Sequence, residues 1–145
     1  MKTNFRFFLL IAIFSSLLFS ACEPVDTTAP GSDARDPFVG YWQFIESSSY
    51  KSTDGQSFIV SISKDPVNST QVLLKNFGNP GSQNVSVTGI VTASQIVIAS
   101  QSMSNGWIVE GSGKTTNVAK TAMSWTYSIT AGGDKTDYTA VSTLQ

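Results

Sequence analysis

The side chains that could carry out chemistry are few. The 145-residue chain has no histidine, one cysteine (Cys22), and ten carboxylates against nine Lys and Arg. Without an imidazole there is no Ser-His-Asp triad, no Cys-His nucleophile and no His-ligated zinc. A single sulfur makes neither an internal disulfide nor a Cys-x-x-Cys redox pair. Two carboxylate pairs, Asp134 with Asp137 and Asp33 with Asp36, are close enough in sequence to be weighed as acid and base. The first pair flanks a Gly-Gly turn and the second lies in a Pro- and Gly-containing stretch, so both read as solvated charges. No segment spaces oxygen ligands closely enough for a calcium loop. The sequence therefore assigns no catalytic residue, no metal and no cofactor, and the expected protein is not an enzyme.

The lone cysteine has a different use. Lys2 and Arg6 precede the uncharged apolar run from Phe7 to Phe19, which ends in the small residues Ser20 and Ala21. That is the order of a secretory signal peptide, and the run is short against the roughly 20 residues that span a bilayer core. Leu18-Phe19-Ser20-Ala21-Cys22 resembles the lipobox of bacterial lipoproteins. The resemblance implies cleavage after residue 21, with diacylation of the Cys22 sulfur and acylation of its new amino group. Phe19 departs from the aliphatic residue commoner at its position. One acyl chain binds a membrane marginally and two bind stably, so three imply permanent attachment. The expected location is the cell envelope, anchored to the outer membrane on its periplasmic or its external face.

Loss of residues 1–21 removes two of the nine cations and none of the ten acids, so the net charge moves from −1 to −3. No basic stripe remains, and nucleic-acid binding, which works by phosphate neutralisation, is excluded. Residues 22–37 carry the lipidated cysteine and then three prolines, one glycine and four acids. They read as a flexible linker able to lift the next segment by up to about 50 Å. Within it, Asp26-Thr27-Thr28 resembles a short bacterial O-glycosylation site at Thr27, with an unmodified spacer as the alternative.

The elements that must position any site begin at Phe38. The runs 38–46, 57–64, 70–77, 83–91, 94–99, 106–111, 118–130 and 136–143 are rich in Val, Ile, Thr and aromatics. Turn-forming residues separate them: Asp54-Gly55, Asp65-Pro66, Asn79-Pro80-Gly81, Asn105-Gly106, Gly113 with Asn117, and Gly132-Gly133. Eight short strands with no helix-length connection predict an all-β antiparallel meander over residues 38–145. Phe58, Val60 and Ile62 alternate with polar neighbours, as do Val72 and Leu74, Ile96 and Ile98, and Met123, Trp125, Tyr127 and Ile129. One face is buried and the other wet. With no helix to cover the apolar face, the sheet must close as a barrel or fold over as a sandwich. The wet face is rich in Ser and Thr and poor in charge.

Val39-Gly40-Tyr41-Trp42, within an Asp-Pro-Phe-Val-Gly opening, resembles the Gly-x-Trp signature that opens the first strand of lipocalins and related calycins. The resemblance implies an eight-stranded up-and-down barrel, lipocalin-like or avidin-like, with Gly40 in a bend and Trp42 plugging the closed end. Similar short lipocalin-like lipoproteins are exported bacterial proteins. Two features depart from the family. The cation near the last strand is Lys135 rather than an arginine, and the chain ends at Gln145 without the family's C-terminal helix.

An eight-stranded barrel either fills its interior with its own side chains or holds one small ligand. Phe44, Glu46, Trp107, Trp125, Tyr127 and Tyr138 are the candidate ligand-lining residues, with Glu46 the inward polar group. Two functions follow. One is a lipid-anchored binding module for a small apolar or amphipathic ligand. The other is a filled, non-catalytic barrel acting as an accessory subunit or surface antigen through rim loops such as 46–56 and 100–106.

Overall fold

The computed structural model describes residues 32–48 and 51–145, with side chains left aside at 51–54. The expected signal peptide 1–21, lipidated Cys22, glycosylated Thr27 and linker up to residue 31 lie outside the described residues. Eight strands form a closed barrel: β1 (Gly40–Ser48), β2 (Lys51–Lys64), β3 (Gln71–Lys75), β4 (Ser86–Thr92), β5 (Gln95–Ser102), β6 (Ile108–Thr115), β7 (Ala122–Ala131) and β8 (Asp134–Leu144). Each strand pairs antiparallel with the next in sequence. β8 returns to β1 with Val141 opposite Ile45 and Ser142 opposite Phe44. The up-and-down meander is as the turn spacing predicts, and closure replaces the sandwich alternative. A barrel leaves no unpaired strand edge.

Inward residues follow the two-residue period. Val60, Val72, Leu74, Ile96 and Val109 are fully buried, and Met123, Trp125, Tyr127 and Ile129 nearly so. Polar groups among them are paired: Trp125 Nε1 donates to Ser142 Oγ at 3.0 Å, and Asn76 Nδ2 donates to the Ile59 carbonyl at 2.8 Å.

Three differences from the sequence reading bear on how the barrel is built. Asp54-Gly55 is no turn, because β2 runs from Lys51 and pairs with β1 as far as Ser48 opposite Lys51. Gly113 does not end β6. It lies opposite Trp125, whose indole occupies the place of a side chain, since a Cβ there would sit 2.4 Å from the ring. The real turn is built on Asn117, whose Oδ1 accepts from the Thr121 and Ala122 amides, and it leaves Val118 fully exposed.

The third difference is where the domain starts. Residues from Ser32 onward belong to the barrel unit, so the stretch 32–37 is structure rather than linker. Asp36–Phe38 form a 3-10 turn with Pro37 in its first positions. Just before it, Arg35 is 8% exposed and its Nη1 donates to the carbonyls of Asp65, Asn68 and Gln71 at 2.9–3.2 Å. Its Nε and Nη2 clasp Asp33. One guanidinium thereby ties the chain entry to the β2–β3 connection, a use of the planar fork that lysine cannot reproduce. The two acids Asp33 and Asp36 both pair with Lys64, at 3.0 and 2.5 Å.

Candidate functional site

Both ends of the barrel are plugged. At the end where β1 begins, Phe38 and Trp42 are fully buried, and Trp42 Nε1 donates to the Phe38 carbonyl at 2.8 Å. Gly40, between them, has φ +144°, and a Cβ there would meet Leu144 at 2.7 Å. Gly40 and Trp42 thus stand in a bend and at a closed end. Lys120 Nζ lies 5.9 Å from the centre of the Phe38 ring, within cation–π range.

At the opposite end the connection from β3 to β4 turns inward. Asn76 and Gly78 both take left-handed backbone, with φ +64° and +71°, and between them Phe77 is fully buried. Its ring centre lies 5.9 Å from Phe44, 5.3 Å from Trp125 and 4.7 Å from Tyr127, while Phe44 also stacks on Phe58 at 5.5 Å and meets Trp125 at 5.2 Å. Tilted and edge contacts at these spacings add about 0.5–1.5 kcal/mol each beyond the area buried. Phe44, Trp125 and Tyr127, read from sequence as ligand lining, are therefore walls of a packed aromatic core whose centre is the ring of Phe77. The sequence reading placed Phe77 at the end of a strand. Its signal was a bulky aromatic between two of the best left-handed turn formers.

Glu46 does point inward and is 7% exposed. Its carboxylate accepts a hydrogen bond from the Tyr127 hydroxyl. Burial pushes its pKa from 4.5 up to about 7, because taking the charged form out of water is costly. The inward phase was legible, whereas the partner, 81 residues away in sequence, was not. Tyr138 stacks on Tyr127 at 5.3 Å and is half-buried at the rim. Trp107 is also half-buried and packs on the core, with its amide held by Asn105 at 3.2 Å.

A shallow depression of about 240 Å³ lies on the rim across β1, β8 and β7, lined by Ser47, Ser48, Thr126, Asp137, Tyr138 and Thr139. Of the acid pairs read from sequence, only Asp137 reaches this depression. On the neighbouring wall Lys135 bridges to Glu110 at 2.7 Å and holds that carboxyl below its usual range. Among the described residues, no group of three His, Cys, Asp or Glu converges as a metal site would.

Fold and site together define an up-and-down β-barrel with a filled interior and a shallow depression at its rim. No family model matches the chain, and no curated protein does. Among solved structures it is similar to a redesigned β-barrel at 13% identity and TM-score 0.53, covering 81% of this chain and 99% of that one. It is also similar to EF1p2_mFAP2b, bound to DFHBI, at 12% identity and TM-score 0.51, covering 79% and 100%. At these identities the likeness is one of fold.

Proposed function

We propose that the chain is an exported, lipid-anchored, non-catalytic protein whose barrel is a filled scaffold that works through its rim and outer wall. The observation that carries this reading is the double plug: Phe38 and Trp42 close one end and Phe77 the other, each fully buried. A carrier needs an enclosed apolar space of about 300–1,000 Å³, and here the aromatic rings stand where that space would be. The anchor rests on the signal-like segment 1–21 and Cys22, and places the barrel in the cell envelope at the outer membrane. The net charge of the mature chain argues against nucleic acid as a partner.

Two measurements test the two halves. Cys22→Ala should move the protein from the membrane to the soluble fraction, and continued membrane association refutes the anchor. Native mass spectrometry of the protein purified from its own source should show no co-purifying apolar mass, and addition of fatty acids or porphyrins should leave its Tm unchanged. A retained lipid or porphyrin would make it a carrier with a displaced Phe77.

A further inference from the structure

We infer that the wall between β4 and β5 holds a binding site for an extended, uncharged peptide segment, which joins the sheet there as an added strand. The inference rests on the reading of a scaffold that works through its outer wall, and it can fail while the lipid anchor and the filled interior stand.

Closure pairs every strand with both its neighbours, but the β4–β5 ladder stops short. It runs from Thr92 opposite Gln95 to Ile90 opposite Val97, and there the two strands part. Each keeps its other neighbour: Ser86 lies opposite Lys75 of β3, and Ser102 opposite Ile108 of β6. The cause is a bulge in β5. Ala99 and Ser100 together face Glu110, between Ile98 opposite Gly111 and Gln101 opposite Val109. A bulge bends its strand and re-aims the side chains that follow. β5 buries Ile96 and Ile98 before the bulge and Met103 after it, so the inward phase moves by one residue and comes to include Gln101.

Gln101 fills the seam with one amide group. Its Oε1 accepts from the Thr88 amide at 2.9 Å, and its Nε2 donates to the carbonyls of Thr88 at 2.8 Å and Ala99 at 3.1 Å. A residue facing Thr88 in an antiparallel ladder exchanges the same two bonds with its backbone. The side-chain amide stands in for a peptide group, and marks where the backbone of an added strand lies. Shape and lining then select the occupant. Because β4 and β5 remain paired at Ile90 and Val97, the gap is a wedge that takes one extended chain and not the edge of a second barrel. Ser86, Thr88, Ala99 and Ser102 along it are uncharged. Inward-turned side chains of the segment meet the buried Val87, Ile98 and Met103, so alternate residues must be small.

The full-length protein, in detergent micelles where acylated, is titrated with the capped heptapeptide Thr-Ala-Thr-Ala-Thr-Ala-Thr and with the same peptide N-methylated at every second residue. Methylation keeps the side chains and removes the donors of one edge. Amide-resolved NMR reads the binding. The parent is expected to bind the unmethylated peptide at millimolar concentration, with the largest shifts at Ser86, Thr88 and Ala99, and not to bind the methylated one. Gln101→Ala leaves the Thr88 groups open to the peptide, so it should bind about tenfold tighter. Thr88→Pro, added to Gln101→Ala, removes the amide that faces the seam and should abolish binding, while the β3 ladder keeps its bonds. The two peptides on the parent decide the matter without any variant. No binding of the unmethylated peptide, equal binding of the methylated one, or shifts centred elsewhere on the barrel overturns the inference. Pairing of two Gln101→Ala barrels in place of peptide binding also overturns it, making a second copy the occupant.

Discussion

Glu46 makes the stability of this barrel fall with rising pH, the reverse of the usual carboxylate. Its folded-state pKa is about 7 against 4.5 for the solvated group. Between those values the folded protein binds a proton that the unfolded chain has released. By linkage, the stability that Glu46 contributes is complete below pH 4.5 and is lost as pH rises through 7. At about 1.4 kcal/mol per pH unit the full span amounts to roughly 3 kcal/mol. Glu46 sits near the rim, where water screens part of that cost, so about 2 kcal/mol is the expected loss between pH 5 and pH 8. With no histidine in the chain, little else titrates in this window. Asp33, clasped by Arg35 and Lys64, is held far below the usual carboxylate range and titrates in acid. Glu46→Gln keeps the shape and an oxygen to accept from the Tyr127 hydroxyl, but has no charge to bury. Urea unfolding followed by tryptophan fluorescence should find the variant and parent within about 0.5 kcal/mol of each other at pH 5. At pH 8 the variant should be about 2 kcal/mol the more stable, or roughly 8 °C in Tm. A parent whose stability is flat or rises from pH 5 to pH 8, or a Gln variant weaker than the parent at both, refutes the reasoning.

Two further substitutions probe the ends of the barrel. Phe77→Ala should cost about 3–5 kcal/mol in chemical denaturation and leave a cavity lined by Phe44, Trp125 and Tyr127. Benzene or a similar small apolar compound should then raise the variant's Tm and leave the parent's unchanged; no such rise would mean that the core collapses on the gap. Arg35→Lys keeps the charge but loses the fork that reaches three carbonyls and Asp33, so Tm should fall and proteolysis should open the chain entry before the strands. A variant as protease-resistant as the parent would show residues 32–38 to be dispensable.

The strand count and the inward faces were legible because both are local. Alternation such as Phe58-Val60-Ile62 writes the buried face directly, and a chain without helices has to satisfy its strands with one another. Local reading failed where a distant partner decides the local state. Gly113 looks like a turn residue until Trp125 lies over it, and Arg35 looks like linker charge until three carbonyls from the β2–β3 connection converge on it.

The candidate site divides in the same way. Sequence placed Trp42, Phe44 and Glu46 on one inward stripe, and it set the resources: no histidine, one cysteine at the end of a signal-like segment, and an outer face of serine and threonine. Only the tertiary structure decided whether the interior was empty or full. Eight strands fix a width at which either is feasible, and the choice fell to one ring. Phe77 turns inward because Asn76 and Gly78 take left-handed backbone together, and because Phe44 from β1 with Trp125 and Tyr127 from β7 leave a space of its shape.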